Sequence, residues 1–161
     1  MGLPAGSKLT LQELENRVDE CTGASTAEDK RTAQQKARLA NIVGVMGFSA
    51  GGWIVLALGA DPDAATRPDF VAAIYPAMPP DLKAPANAPP LFLTVAMDDP
   101  YVPLDSLKAY AAWQAVKAPA ELHAYATGGH GFALKTQGLP VSTWTDRFVD
   151  WMKWAGFLGK P

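Results

Sequence analysis

The sequence predicts an α/β fold, with a mostly parallel sheet of about four strands and helices on both of its faces. Three observations predict it. Short apolar runs rich in β-branched residues recur from Asn41 onward. Each is bounded by Gly or Pro, as a buried strand of a parallel sheet would be. Helix-like segments lie between them, so the order from Asn41 reads β-α-β-loop-β-α-β-loop-α, which argues for a parallel sheet.

The elements follow in order. Residues 1–40 are expected to form a helical N-terminal segment ahead of a core at 41–161, the two making a single domain overall. Thr10 and Glu13 make a capping box, hydroxyl and carboxylate each satisfying a free N–H. Leu11, Leu14 and Val18 recur on one helix face. Ile42 to Phe48 is the first buried strand. Trp53 to Leu58 is apolar all round and predicts a buried helix ending near Gly59. Phe70 to Tyr75 is a second strand, stopped by Pro76. Residues 76–90 hold six prolines and predict an irregular loop capping one end of the sheet. Leu91 to Ala96 is a third strand. Leu104 to Lys117 predicts a helix with Leu104, Leu107 and Tyr110 on its packed face. Glu121 to Tyr125 alternates and predicts a fourth strand. Thr143 with Asp146 caps a last helix, in which Trp144, Phe148, Trp151 and Ala155 share the core face, Trp154 falls on another, and Gly156 is the stop.

Composition removes several function classes. The chain has 161 residues and a formal charge of −2, so it has no basic excess with which to neutralise nucleic-acid phosphates. Cys21 is the only cysteine, which excludes an internal disulfide, a thiolate cluster and a CxxC pair. Two histidines, His123 and His130, are too few for a His-rich metal site. No apolar stretch approaches the ~20 residues of a membrane span, and the N-terminus lacks the apolar run of a signal peptide. The expectation is a cytoplasmic protein that needs no metal or cofactor and binds neither nucleic acid nor membrane.

Chemistry concentrates on three loops, each following a predicted strand. In an open α/β sheet such loops gather at the carboxyl ends of the strands. The first, Gly47-Phe48-Ser49-Ala50-Gly51-Gly52, matches G-x-S-x-G at a strand-to-helix junction. A serine on so tight a turn brings backbones close, so a Cβ at Gly47 or Gly51 is expected to clash. Ser49 points out of the turn, and the Ala50 N–H at the helix start faces a developing oxyanion. The second, Asp98-Asp99-Pro100-Tyr101-Val102-Pro103, supplies a carboxylate to orient a histidine. Asp99 takes that role, Asp98 being the alternative. The third, Gly128-Gly129-His130-Gly131-Phe132, places His130 on a glycine-flanked loop as the general base. His123, inside an alternating strand, belongs to a sheet face. Phe48, Trp53, Tyr101 and Phe132 flank these residues and are the substrate-wall candidates. The chain order Ser, Asp, His, together with the strand and helix around Ser49, argues acyl transfer to water by a Ser49–His130–Asp99 triad.

The strings VGVMGFSAGG, DDPYVPLDS and ELHAYATGGHGFAL resemble an α/β-hydrolase. The likeness is to esterases of the acetylxylan and feruloyl esterase type and the dienelactone hydrolase group, and covers about residues 41–158. It implies a reduced α/β-hydrolase fold and an esterase acting on small ester substrates, with Ser49 as nucleophile, Asp99 as acid and His130 as base. Serine at 49 departs from the cysteine of dienelactone hydrolases proper. Only 48 residues precede Ser49, without the early strands or the His-Gly-Gly loop that supplies a second oxyanion donor in the family. A minimal hydrolase, a fragment, or a sheet completed by a second copy would each account for this. A homo-oligomer is expected, because the strand at 42–48 would otherwise be left at an edge. Losing one oxyanion donor lowers kcat on the order of 10²–10³, so a slow esterase preferring activated short-acyl esters is expected. The alternatives are an idle hydrolase core acting as a binding or assembly module, and a peptidase or thioesterase.

Overall fold

The computed structural model describes residues 42–158; the predicted helical segment at 1–40, with Thr10, Glu13 and Cys21, lies outside them. Four strands, β1 (Gly44–Phe48), β2 (Phe70–Ile74), β3 (Leu91–Ala96) and β4 (Ala120–Tyr125), pair side by side in the order β1-β2-β3-β4. Every pairing is parallel, Phe48 lying opposite Ile74, Ile74 opposite Thr94, and Thr94 opposite His123. All four strands therefore end on the same side. β2 and β3 are buried at every position. That explains why their sequence is apolar at every position but Thr94: a strand covered on both faces has no water-facing positions to fill with polar residues.

Side chains alternate between the two faces of the sheet. On one face Val71 and Ala73 of β2 and Leu91 and Leu93 of β3 meet Val55 and Leu56 of helix α1 (Ala50–Gly59) and Ala109 and Trp113 of helix α2 (Asp105–Ala115). On the other, Phe148 of helix α3 (Trp144–Trp154) stands 6.2 Å from Phe70 and 5.1 Å from Phe92, ring centre to ring centre. Helices thus cover both faces, as the strand and helix alternation requires. Trp113 is fully buried and its indole N–H donates to the Pro89 carbonyl at 2.8 Å, tying the proline-rich connection between β2 and β3 to α2. Truncating such a side chain to Ala costs about 3–5 kcal/mol.

The helix faces differ from the sequence expectation. α1 is not buried all round, since Trp53 and Ile54 point outward. In α2 the buried positions are Ser106, Ala109 and Trp113, while Leu104 and Leu107 are exposed and only Tyr110 of the expected face reaches the core edge. Short side chains at 106 and 109 let the helix lie close to the sheet, and Trp113 fills the space behind them. The buried stripe of α2 is the small-residue one and not the leucine one. Thr143 does not cap α3 either. Its hydroxyl donates to the Pro140 carbonyl at 2.8 Å, inside a 3-10 turn at Pro140–Thr143 that leads directly into the helix. The stop at Gly156 is as expected. With φ 78 it lets the Phe157 N–H reach back to the Met152 carbonyl at 2.9 Å, a left-handed helix end.

Val43–Phe148 form one compact unit, which holds the whole sheet; the residues from Val149 onward belong to a second. Trp144 in the first unit and Trp151 in the second are each buried, and Trp154 is exposed. Among the described residues no helix is long and apolar enough to cross a membrane.

Candidate active site

The turn after β1 is built by backbone packing. Ser49 sits between β1 and α1 with φ 52 and ψ −118, a conformation L-residues rarely adopt. It is held there by its N–H on the Ile74 carbonyl at 3.0 Å and by the Gly52 N–H on its own carbonyl at 3.0 Å. A Cβ at Gly47 would run into the Gly51 backbone, and a Cβ at Gly52 would stand 2.6 Å from the Pro76 Cβ. At Gly51 a Cβ would meet nothing within 4 Å, so the expected clash there is absent and Gly52 takes its place. The motif glycine at 51 is not sterically required; what Gly47 needs is the nearby backbone of residue 51, whatever its side chain. Ala50 opens α1, and first-turn N–H groups have no partner within the helix.

The strands place the other two loops beside this turn. Ser49 Oγ lies 2.8 Å from His130 Nε2, and His130 Nδ1 lies 2.6 Å from Asp99 Oδ2. With its proton on Nδ1, the imidazole donates to Asp99 and accepts from Ser49. The Asp99 side chain is fully buried and that of His130 largely so. Asp99 Oδ1 accepts the N–H of Tyr101 at 2.8 Å and of Val102 at 3.3 Å. The turn that follows the acid therefore fixes its carboxylate, and Asp99, not Asp98, reaches the ring. Asp98 lies outward, with Oδ1 accepting the Gly129 N–H at 2.8 Å. That N–H holds the Asp98 carboxyl below its ordinary pKa. His123 is elsewhere, on the face of β4, 2.7 Å from Glu121 Oε1 and against Phe92.

Aromatic rings surround the imidazole. Tyr101, 75% exposed, stands edge-on to His130 at 5.2 Å. Tyr75, buried, stands edge-on from within at 5.0 Å, and its ring also meets Phe132 at 4.6 Å and Phe48 at 6.0 Å. Burial pushes the Tyr75 phenol above its ordinary pKa, with the Ala133 backbone N–H pulling the other way. Phe132 is fully buried against Tyr75, so it does not present the open wall expected of it. Phe48 is half-buried and joins the same cluster through Tyr75 and through Trp144 at 6.1 Å. Trp53 lies one turn along α1, partly exposed, outside the rings that touch His130. Tyr75 is the residue that sequence reasoning missed. The available signal was a tyrosine directly before a strand-ending proline, where a ring with a polar tip is more than core filler. Among the described residues, three of the five non-glycine residues with positive φ, Ser49, Tyr75 and Ala133, converge here. Such strain persists where packing over-determines the backbone. Among the described residues no group of three or more His, Cys, Asp or Glu side chains is placed to hold a metal ion.

Comparison with known proteins places the chain in a family and a fold. The Dienelactone hydrolase family matches residues 4–153, extending well before the motifs that begin near residue 41. Among solved structures, an acetyl ester-xyloside bifunctional hydrolase from Caldicellulosiruptor lactoaceticus is 27% identical, with a TM-score of 0.62 over 72% of this chain. MGS-M1, an alpha/beta hydrolase enzyme from a Medee basin deep-sea metagenome library, is 25% identical, with a TM-score of 0.61 over 89% of this chain. The carboxylesterase Cest-2923 from Lactobacillus plantarum WCFS1, 20% identical, shares the fold with a TM-score of 0.63 over 94% of this chain and 69% of its own. The chain spans 57% and 63% of the length of the first two. No curated protein matches it in sequence. The fold is that of the α/β-hydrolases.

Proposed function

The chain belongs to the dienelactone hydrolase family, and we propose that it is a serine esterase cleaving small, short-acyl carboxylic esters through an acyl-enzyme. The observation that carries this reading is the connected run from Ser49 Oγ through the His130 ring to the buried Asp99 carboxylate, at 2.8 and 2.6 Å. Ser49 Oγ attacks the ester carbonyl carbon while His130 Nε2 takes the hydroxyl proton. Negative charge collects on the carbonyl oxygen, which the Ala50 N–H at the start of α1 stabilises. Collapse breaks the bond to the alcohol oxygen, which leaves with the proton from His130 and so generates acyl-Ser49. Water, deprotonated by the same ring, then releases the acid and restores Ser49. Asp99 keeps the ring oriented and stabilises the imidazolium that forms twice per cycle. Tyr101, exposed beside His130, is the aromatic that we assign to the substrate wall. The name of the Caldicellulosiruptor neighbour supports a short acyl group.

The test is hydrolysis of p-nitrophenyl acetate and butyrate. Wild type should turn both over, with acetate and butyrate preferred to longer chains. Ser49→Ala should lose on the order of 10⁴-fold or more in kcat. Equal rates for the two proteins would end the reading. Labelling of Ser49 by a fluorophosphonate, which requires an activated serine, separates an esterase from an idle binding module.

We also propose that the protein is a homo-oligomer. Among the described residues β1 stands first in the four-strand order, and Val43, Trp53 and Ile54 before and after it are exposed. Edges and apolar patches of this kind are ordinarily covered. A monomeric mass by light scattering at micromolar concentration would contradict it.

A further inference from the structure

On the reading of Ser49, His130 and Asp99 just given, we propose that Asp98 is a positioning residue, its carboxylate bracing the loop that carries the general base. Two adjacent aspartates at the end of β3 divide the work. Asp99 holds the imidazole ring, and Asp98 holds the backbone one residue before it, through the Gly129 N–H at 2.8 Å. The bond links positions 31 residues apart and joins the end of β3 to the loop after β4.

The loop needs such a tether because its own backbone specifies little. His130 stands between Gly129 at φ 65 and Gly131 at φ 74, and glycines leave many conformations open. Further out, the Gln137 side-chain amide donates to the Gly128 carbonyl at 3.3 Å, and the Trp144 indole N–H donates to the Ala133 carbonyl at 2.7 Å. Those two bonds flank the segment. The Asp98 bond is the one that lands on the residue adjoining His130. The Gly129 N–H holds the Asp98 carboxyl below its ordinary pKa, so the acceptor is ionised throughout the neutral range. Loosening it lets the ring drift from the 2.8 Å contact with Ser49, and small displacements of a catalytic group are costly.

The experiment is steady-state kinetics on p-nitrophenyl acetate for Asp98→Ala and Asp98→Asn, beside wild type, Ser49→Ala and Asp99→Ala. Asp98 lies at the surface, so both variants should fold, with melting curves close to wild type. Asp98→Ala should lower kcat roughly ten-fold with KM unchanged, because the base is displaced and the substrate site is not. Asp98→Asn should recover most of that loss, since its amide oxygen accepts the same N–H. A wild-type kcat in Asp98→Ala overturns the proposal. So does an Asn variant as impaired as the Ala variant, or a rise in KM with kcat intact. A loss as deep as that of Asp99→Ala would make Asp98 a second orienting acid and overturn it too. Turnover that Ser49→Ala abolishes and Asp98→Ala leaves untouched defeats the brace alone. Turnover indifferent to Ser49 defeats the esterase reading and the brace with it.

Discussion

The turn that carries Ser49 and the loop that carries His130 are positioned by different physics. At the turn, backbone meets backbone. Gly47 lies against Gly51, Gly52 against Pro76, and the Ser49 N–H binds a strand carbonyl. In the loop, side chains reach in from separate elements. Asp98 comes from the end of β3, Gln137 from the segment beyond, Trp144 from α3, and Tyr75 presses on the ring from the end of β2. Ser49, the proposed nucleophile, is thus set by local sterics with little tolerance. His130, the proposed base, is set by several contacts, each of which can be cut separately. Damage at the turn should be all or none, and damage at the loop should be graded.

The strongest break in that comparison is Gly47→Ala. The new Cβ would collide with a backbone that has nowhere to go, which costs several kcal/mol by overpacking and strain. Little soluble, folded protein and no esterase activity are expected; a well-folded, active variant would show that the turn has more slack than the distances allow. Next is Trp144→Phe. A ring remains against Phe48, but the bond to the Ala133 carbonyl goes. About 1–3 kcal/mol of stability should be lost from the missing bond and the smaller side chain. Partial kcat should survive, as a graded loop requires; kcat as low as in Ser49→Ala would erase the distinction.

A smaller effect appears only in alkali. Burial raises the Tyr75 phenol pKa, so the folded protein keeps that proton longer than the unfolded chain. Its contribution is fully present below the unfolded value of about 10. It is lost as pH rises through the folded value. Melting temperature should therefore fall less steeply above pH 10 in Tyr75→Phe than in wild type. Tyr125 shifts in the same direction and accounts for part of the slope that remains. The smallest effect is Gly51→Ala. Nothing lies within 4 Å of the new Cβ, and alanine is favoured over glycine inside a helix by about 0.8–1 kcal/mol. Activity should persist with an equal or higher melting temperature, although the G-x-S-x-G pattern treats residues 47 and 51 alike.

The strands were legible in the sequence because full burial leaves an unmistakable trace. β2 and β3 have no polar side to disguise them except Thr94, and their bounds differ from the expected ones by at most one residue. The loops at their ends were legible because glycine, proline and acid cluster where chains must turn and chemistry must be held. Helix faces were less so. Ser106 and Ala109 look like surface residues, yet smallness is what lets α2 approach the sheet, while Leu104 and Leu107 remain in solvent. The role of Gly51 was misjudged because a motif records which residue stands at a position and not which atoms confront it. Tyr75 was hidden, and Asp98 was legible only as an alternative orienting acid, because their partners, His130 and Gly129, arrive from distant parts of the chain.

The strand order β1-β2-β3-β4 also has a consequence in time. Each strand docks on the one made just before it, so the sheet can grow in the direction of synthesis. Ser49 leaves the ribosome 81 residues ahead of His130. At roughly 5–20 residues per second that interval lasts roughly 4–16 seconds. The serine turn can form on the nascent chain during that delay while its hydroxyl is still an ordinary alcohol. On the proposed triad, the hydroxyl gains its base only once β4 and the loop after it are made, so the chain makes its proposed nucleophile early and arms it last.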